Sequence, residues 1–248
     1  PILWLGERYT SAPDRQRVFS SLTELKETIE TDPGRKGFAI PFDRSKHRFV
    51  IFSDQHKGRK NGADDFASAE PNYLAALDHY EKHGCHLIAL GDCEELWENT
   101  MLQVIKHNEP SFSKERAFVK RKAFTKIVGN HDLDWEIDPI APTLLKRIFG
   151  ESVPVFQGVI LETTFEGRTL KLLCTHGHQG DAQSDGNWFS KFFVTKIWAP
   201  LQAYLRIYPN TPAYDQGMKT EHNRVMLEWA NAQQGLILIT GHTHQPVF

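Results

Sequence analysis

Short apolar runs that end in polar loops recur along the chain and predict buried β-strands. Residues 47–53 contain four consecutive apolar side chains, and residues 87–90, 125–128 and 236–239 are further strand-like runs that close on polar residues. Uninterrupted runs of this length are typical of strands that are covered on both faces, as in parallel sheets.

Segments with apolar side chains at helical spacing separate these strands. Residues 69–83 predict an amphipathic helix, and residues 94–107 and 114–122 are helix-like as well. A further helix is predicted near residues 142–149. Alternation of strand and helix is the pattern of a parallel βαβ sheet, so the sequence predicts an α/β fold.

The second half of the chain is richer in β-structure. Residues 153–163 and 169–174 are β-rich and meet at Glu166-Gly167-Arg168, which predicts a hairpin. A helix over residues 224–232 then precedes the last strand.

Aromatic side chains are concentrated in residues 186–208, at mostly helical spacing around Pro200. A core-packing helix that is kinked at the proline would explain them. The alternative is a lid or membrane-facing flap that presents aromatic rings to an apolar substrate group. The pattern is compatible with both interpretations.

The chain is predicted to consist of a short extension and one main domain. Residues 1–44 form the N-terminal extension, with a short helix that opens at Ser20 and ends at residues 32–34. Residues 45–248 form the main domain, in which residues 184–232 are a helical insertion or lid.

Composition narrows the class of protein. With 248 residues, 40% of them hydrophobic, the chain can bury the core of one sizeable domain. The net charge of −2 provides no global field that would gather nucleic acid or an anionic membrane. The three cysteines show no C-x-x-C spacing, which favours a reducing compartment. No apolar run approaches the ~18–20 residues of a membrane span, so we expect a soluble, cytoplasmic protein.

Each of five predicted strands is followed by side chains that can bind a metal ion. One such group alone has an ordinary explanation, since aspartate and asparagine are common in turns and helix caps. One two-metal site would explain all five, because α/β sheets bind their ligands at the carboxyl ends of the strands. The side chains are Asp54 and His56, Asp92, Asn130 and His131, His176 and His178, and His242 and His244.

The residue types suit two divalent cations. Two cations roughly 3.5–4 Å apart can hold both the attacking and the leaving oxygen of a displacement at phosphorus. An anionic bridge must join them, and Asp92 suits this role because it is the only carboxylate that stands alone at its strand end. Neutral imidazoles and an amide can complete the ligand shells. Asp-x-His and His-x-His place both side chains on one face of an extended segment.

In order and spacing, five short motifs resemble those of the calcineurin-like metallophosphoesterase superfamily. The resemblance implies a four-layer α/β/β/α sandwich with a dinuclear metal site at the strand ends, to which the aromatic-rich helical insertion would be added. The motifs span most of the chain and are Ser53-Asp54-Gln55-His56, Gly91-Asp92, Gly129-Asn130-His131-Asp132, Thr175-His176-Gly177-His178 and Gly241-His242-Thr243-His244.

The resemblance also implies a division of the metal ligands. Manganese is the expected metal, and iron, zinc, nickel or cobalt would suit the same nitrogen and oxygen ligands. The implied ligands are Asp54, His56 and His244 for the first ion, Asn130, His176 and His242 for the second, and Asp92 between them.

By the same resemblance, His131 protonates the leaving alkoxide while a metal-bridging water or hydroxide attacks phosphorus. Imidazole is the side chain best suited to hand over a proton near neutral pH. Glu95 falls where relatives often carry an acid that orients this histidine, and Asp132 is the local competitor for that role.

Further polar residues have two alternative interpretations each. His178 is interpreted as lying behind the metal ligands or facing substrate, with simple solvent exposure as the alternative. Lys57, Arg59 and Lys60 could contact a substrate phosphate, although a solvated loop is the more common location of such a charge run.

The sequence therefore predicts a phosphoester hydrolase, either a phosphomonoesterase or a phosphodiesterase, whose physiological substrate is undefined. The segment Gly241 to Pro246 and the aromatic stretch are also similar to UDP-2,3-diacylglucosamine pyrophosphohydrolases, which provides an alternative. A nuclease ranks third, because the basic residues are scattered. A non-catalytic protein with the same fold would lack some of the expected metal-binding residues, whereas this sequence has all of them.

The expected partner is a phosphorylated small-molecule or lipid-linked substrate. Nucleic acid is a disfavoured partner, and peripheral contact with a membrane is compatible with the sequence. No oligomeric state is predicted. The chain ends four residues after His244, where relatives add strands. Either the chain is truncated, or residues 1–44 complete the sheet edge.

Overall fold

The computed structural model describes residues 14–62, 64–180 and 216–245, which form two four-stranded sheets and seven helices. In chain order the elements are α1 (Arg15–Thr31), β1 (Gly37–Pro41), β2 (Phe49–Phe52), α2 (Phe66–Lys82), β3 (His86–Leu90), α3 (Met101–His107), α4 (Glu109–Lys120), β4 (Phe124–Ile127), α5 (Asp134–Ile137), α6 (Ala141–Phe149), β5 (Val155–Phe156), β6 (Gly158–Phe165), β7 (Arg168–Thr175), α7 (Gln216–Asn231) and β8 (Leu236–Ile239).

One sheet is entirely parallel and has the strand order β2-β3-β4-β5. Its register pairs Phe52 with Ala89 and Leu90 with Ile127. The carboxyl ends of β2, β3 and β4 are therefore level with one another. The three polar segments that follow these strands leave the sheet at the same edge.

The other sheet has the order β1-β6-β7-β8 and is mixed. Strands β6 and β7 form the predicted hairpin, with Glu166 (φ 51°) and Gly167 (φ 76°) at its turn. Two consecutive residues with positive φ are typical of a type I′ turn. Strand β8 runs parallel to β7 and pairs Ile239 with Cys174, so the segments after these two strands also leave the sheet side by side.

Buried apolar side chains of the two sheets pack against each other, and helices pack against both sheets. Between the sheets, Ile88 and Ile127 of one pack with Val159 and Leu161 of the other. Two further groups of buried side chains join helices to the sheets. Val18, Leu22, Leu25 and Ile29 of α1 and Val225, Met226 and Trp229 of α7 lie on the mixed sheet, while Tyr73 and Leu77 of α2 and Phe118 of α4 lie on the parallel sheet.

The predicted strands are present, and most helix predictions are correct within a few residues. One error concerns residues 94–107, because the structure begins α3 only at Met101 and leaves residues 93–100 as a loop. Helix α1 begins at Arg15 rather than at Ser20, since the side chain of Asp14 caps it by accepting the backbone N–H of Arg17. The sequence did not predict β1, and it predicted a single β-rich run over residues 153–163, where the structure has β5 and β6 in different sheets.

Residues 15–41 are packed into the fold. Strand β1 pairs in parallel with β6 at the edge of the mixed sheet. The aromatic stretch 186–208 lies outside the described residues, as does the predicted insertion 184–232 except for its C-terminal helix α7. None of the described helices is long and apolar enough to span a membrane.

Candidate metal centre

Seven of the expected site residues converge where the strands of both sheets end. Asp54 and His56 follow β2, Asp92 follows β3, and the remaining residues follow β4, β7 and β8. Three sets of possible ligand atoms each lie within 4.8 Å of one another: Asp54, His56 and His244; His56, Asp92 and His131; and Asp92, His176 and His242.

The first set is held by contacts of Asp54. Nε2 of His244 lies 3.1 Å from Oδ1 of Asp54, and the backbone N–H of His242 donates to the same oxygen at 3.1 Å. The carboxylate that follows β2 thus joins the segment that follows β8. This contact brings the two sheets together at their carboxyl edges.

A second ligand set consists of Asp92, His176 and His242 and is held by contacts of His176. Its Nε2 lies 3.1 Å from Oδ2 of Asp92 and 3.2 Å from Oδ1 of Asn130. Its Nδ1 lies 3.0 Å from the backbone oxygen of Leu90 and must donate there, because a carbonyl only accepts. A lone pair is therefore available on Nε2 when the ring is neutral, which is the arrangement typical of metal-binding histidines.

Two imidazole nitrogens test whether these residues fit a metal pair. Nε2 of His56 and Nε2 of His242 are buried, and neither has a hydrogen-bond partner within the described part of the chain. Such an atom costs about 1–3 kcal/mol if it stays unsatisfied. One of them belongs to the first set and one to the second, so one cation in each set would satisfy both. The residues present fit a dinuclear centre.

The charge states of Asp92 and His242 also favour the binding of cations. Burial raises the pKa of Asp92, but the neighbouring His176 and His131 outweigh it and hold that pKa well below its usual range. Burial and the nearby His176 hold the pKa of His242 well below its ordinary value, so this ring is neutral. Carboxylate and neutral imidazole are the forms that bind metal ions.

The backbone is strained at the same positions. In the described ranges, eight residues other than glycine have positive φ, a region that ordinary side chains rarely adopt. Clustering of such strain is typical of functional sites. Five of the eight are expected ligands: Asp54 (59°), His56 (48°), Asp92 (48°), His242 (71°) and His244 (53°).

Glycines precede three of the ligands because neighbouring loops approach closely. A Cβ atom on Gly129 would lie 2.2 Å from Oδ1 of Asp92. A Cβ atom on Gly241 would lie 2.2 Å from Oγ of Ser53 and 2.3 Å from Oδ2 of Asp54. Such distances cannot be accommodated without movement, so the Gly-ligand pattern seen in the sequence reflects contacts between strand ends.

His131, which shares one set of possible ligand atoms with His56 and Asp92, is held from three sides. Its backbone N–H donates to Oδ1 of Asp92 at 2.8 Å, and its Nδ1 lies 2.7 Å from Oε2 of Glu95. Its ring stacks on Trp97 at a centroid distance of 3.9 Å, and the indole N–H of Trp97 donates to the backbone oxygen of Asn130. Sequence reasoning missed Trp97, because a single aromatic residue after Glu95 forms no periodic pattern.

The charge state of His131 is set by its neighbours. Burial lowers its pKa, but the charges of Asp92 and Glu95 outweigh burial and raise that pKa to about 9. Burial raises the pKa of Glu95, yet His131 and His56 lower it to about 2. A protonated imidazole held against a carboxylate is therefore the state in the absence of cations.

Asp132 does not contact the ring of His131. Its two carboxylate oxygens accept the backbone N–H groups of Gly129, at 2.6 Å, and of Cys93, at 2.9 Å. Burial raises the pKa of this carboxyl group to about 6. Of the two acids considered for orienting His131, the structure places Glu95 against it and uses Asp132 to join two loops.

The remaining polar residues differ from expectation in one respect. Lys57 is only 1% exposed, and its ammonium lies 2.6 Å from Glu115 and 3.1 Å from Glu94. The predictions that Lys57 contacts a substrate phosphate or lies in a solvated loop are therefore both wrong, because these carboxylates enclose its side chain. His178 is buried rather than exposed to solvent. Arg59 is exposed, and its contact with substrate stays a prediction.

The centre opens into a cavity of about 460 Å³. Carboxylates, amides and imidazoles form most of its described lining, and no described lysine or arginine is among them. The lining consists of Asp54, Gln55, His56, Gly58, Asn61, Asp64, Asp65, Asp92, Glu95, Glu98, Asn99, His131, His242 and His244.

Metal-dependent phosphoester hydrolysis is the chemistry that this fold and these ligand sets support. Residues 47–246 match the model of the calcineurin-like phosphoesterase family, and the chain belongs to that family. The match confirms the resemblance seen in the five motifs. No curated protein matches the chain.

Proposed function

We propose that the protein hydrolyses phosphoesters with two divalent metal ions. The observation that carries the proposal is the meeting of two ligand sets near Asp92, each with one buried imidazole nitrogen that lacks a partner among the described residues. The proposed ligands are Asp54, His56 and His244 for one ion, Asn130, His176 and His242 for the other, and Asp92 between them.

When bound, two such cations would lower the pKa of a water molecule that attacks phosphorus and would draw charge from the phosphoryl oxygens. The chain's own contribution is proton transfer. Nδ1 of His131 is engaged by Glu95, so its Nε2 is the nitrogen that can give a proton to the leaving oxygen. General acid catalysis of this kind contributes roughly 10²–10⁴-fold.

The proposal also covers the arrangement of layers, the metal and the cellular compartment. The apolar layer between the sheets and the helices on their outer faces support a four-layer α/β/β/α arrangement. Manganese is proposed as the metal because the ligands are nitrogen and oxygen atoms. The three cysteines are buried free thiols, which suits the cytoplasm. The choice between monoesters and diesters, and the physiological substrate, are left to experiment.

The test is metal analysis combined with a substrate panel. Purified protein should contain about two transition-metal ions per chain and should hydrolyse at least one class among phosphomonoesters, phosphodiesters and nucleotide-pyrophosphate lipids when manganese is present. Replacing His131 with Ala should lower kcat roughly 10²–10⁴-fold and retain both metals. Replacing His107 with Ala, at an exposed position of α3, is the control. Protein that binds no metal and hydrolyses none of these substrates would overturn the proposal.

A further inference from the structure

Four charged side chains form a continuous chain of buried ion pairs beneath the metal centre. Lys57, Glu94, Glu115 and Lys126 are each at most 2% exposed. Nζ of Lys126 lies 2.7 Å from Oε2 of Glu94, and the ammonium of Lys57 lies between Glu94 and Glu115. The indole N–H of Trp135 also donates to Oε2 of Glu94, at 2.8 Å. Glu94 therefore has three partners from three segments of the chain.

Stability alone is a poor explanation for this network. Removing charges from water is costly, and well-packed apolar residues often replace buried ion pairs without loss of stability. Buried polar networks can instead specify one arrangement of the segments that carry them. The segments joined here are the loops after β2 and β3, which carry the proposed metal ligands.

Two pairs of side chains lie next to each other across these loops. Lys57 and Glu94 form an isolated parallel bridge, in which the backbone N–H of Lys57 donates to the oxygen of Cys93 and that of Glu95 donates to the oxygen of Lys57. The adjacent residues His56 and Glu95 line the cavity and contact each other at 3.1 Å. The enclosed residues Lys57 and Glu94 are therefore the direct chain neighbours of His56 and Glu95, which face the site.

Glu94 and Glu95 point to opposite sides, as successive residues of an extended segment do. Glu94 is completely buried, whereas Oε2 of Glu95 lies 2.7 Å from Nδ1 of His131 and 3.1 Å from Nδ1 of His56. Holding the carboxylate of Glu94 inward therefore holds the carboxylate of Glu95 against the two imidazoles.

We propose that Glu94 is a positioning residue, which acts with Lys57 and Lys126 to aim Glu95 at His131. The inference rests on the proposed function, because it assigns Glu94 to the same reaction. It predicts that the loss of a partner of Glu94 weakens the contact between Glu95 and His131 while the cavity and the metal ligands stay in place.

The test uses Glu94→Gln, Lys126→Met and Trp135→Phe, which removes one hydrogen bond to Glu94 and keeps an aromatic ring in the apolar cluster that contains Trp135. The control is Lys114→Met, which breaks a partly exposed ion pair with Asp78. In metal-free, ¹⁵N-labelled protein, the low-field Nδ1–H resonance of His131 reports its contact with Glu95. This resonance should shift or disappear in the three variants and persist in the control.

The metal-loaded enzyme provides a second measurement. Aryl phosphate esters with a phenyl leaving group need a proton donor, whereas nitrophenyl esters leave readily as anions. We expect kcat per bound metal pair to fall about 10-fold or more for phenyl esters in Glu94→Gln and Lys126→Met, and much less for nitrophenyl esters. Trp135→Phe should show a smaller change of the same kind.

Two outcomes would overturn the inference. One is an unchanged His131 resonance in folded Trp135→Phe and Lys126→Met protein. The other is an equal loss of kcat with both leaving groups, which would indicate that the network only stabilises the fold. Inactivity of the wild-type enzyme with metal would instead refute the proposed function, so the two failures can be distinguished.

Discussion

Nδ1 of His131 lies 2.7 Å from Oε2 of Glu95, and this contact determines which ring nitrogen of the histidine is available for chemistry. A carboxylate with a pKa lowered to about 2 is an acceptor, so Nδ1 carries the hydrogen. Nε2 is left to face the cavity that His131 lines. The same carboxylate contacts Nδ1 of His56 at 3.1 Å, so one acid orients both imidazoles.

Replacing Glu95 with Gln should lower kcat for esters with poor leaving groups roughly 10–100-fold, because the imidazole of His131 loses both its orientation and the charge that keeps it protonated. Steady-state kinetics with phenyl and nitrophenyl esters measure the effect, and metal analysis checks that His56 still binds. Glu81→Gln, whose ion pair with Arg121 is partly exposed, is the matched control. Equal kcat in wild-type and variant enzyme would contradict this role of Glu95.

Replacing Asp132 with Ala should act on stability instead. Its carboxylate satisfies two buried backbone N–H groups, of Gly129 and Cys93, and leaving these unsatisfied costs about 1–3 kcal/mol. Denaturant unfolding should show this loss. The ratio of kcat for phenyl esters to kcat for nitrophenyl esters should stay near that of the wild type. A much lower ratio would assign Asp132 to proton transfer.

Removing single ligands should change the metal content in steps. His242→Ala should retain about one ion per chain, because His242 belongs only to the second ligand set. Asp92→Asn should lose most of both ions, because Asp92 belongs to the second set and its Oδ2 lies 3.9 Å from Nε2 of His56 in the first. Elemental analysis after gel filtration gives the ratio, with His107→Ala as control. Full metal content in Asp92→Asn would refute the bridging role.

Replacing Gly129 with Ala should disrupt the centre from the backbone. Its Cβ atom would lie 2.4 Å from the backbone nitrogen of Asp92 as well as 2.2 Å from Oδ1, and overpacking of this kind costs about 1–3 kcal/mol. Both the unfolding free energy and the metal content should fall. Gly62→Ala is the matched control, because a Cβ atom there has no neighbour within 4 Å.

Stability should also depend on pH through His86, which lies outside the centre. Burial and the charge of Arg121 lower the pKa of His86 to about 4, from an ordinary value of 6.5. A neutral native ring stabilises the fold fully above pH 6.5, and this stabilisation is lost as pH falls from 6.5 towards 4. The difference in unfolding free energy between the wild type and His86→Asn should therefore shrink between pH 7 and pH 4.5. A constant difference would contradict the lowered pKa.

Strands and strand ends could be predicted from the sequence because their signals are local. Strand β8 lies where residues 236–239 predicted it, and the turn at Glu166 and Gly167 is present. The helix expected over residues 94–107 shows the limit of such reasoning. Its first residues have helix-like spacing, but contacts with Lys57, Lys126 and His131 hold them in a loop.

The candidate ligands could be predicted for the same reason, since each follows an apolar run directly and the carboxyl ends of strands in a sheet come together. The sequence could not show which acid contacts His131, because Glu95 and Asp132 are both close to candidate ligands along the chain. Their opposite directions depend on loops that are distant in sequence. Trp97 and Glu94 were missed because their partners, His131 and Lys126, lie more than thirty residues away.

The sequence by itself determined the fold class, the family and the set of side chains able to bind metal, because these depend on hydrophobic pattern and on residue type at strand ends. Only the tertiary structure decided the direction of each polar side chain. Lys57 has the sequence context of a solvated loop and is nevertheless buried, because Glu94 and Glu115 reach it from other segments. A charged side chain pairs with charges that lie near it in the folded structure, even when they are distant along the chain. A local sequence pattern does not contain that information.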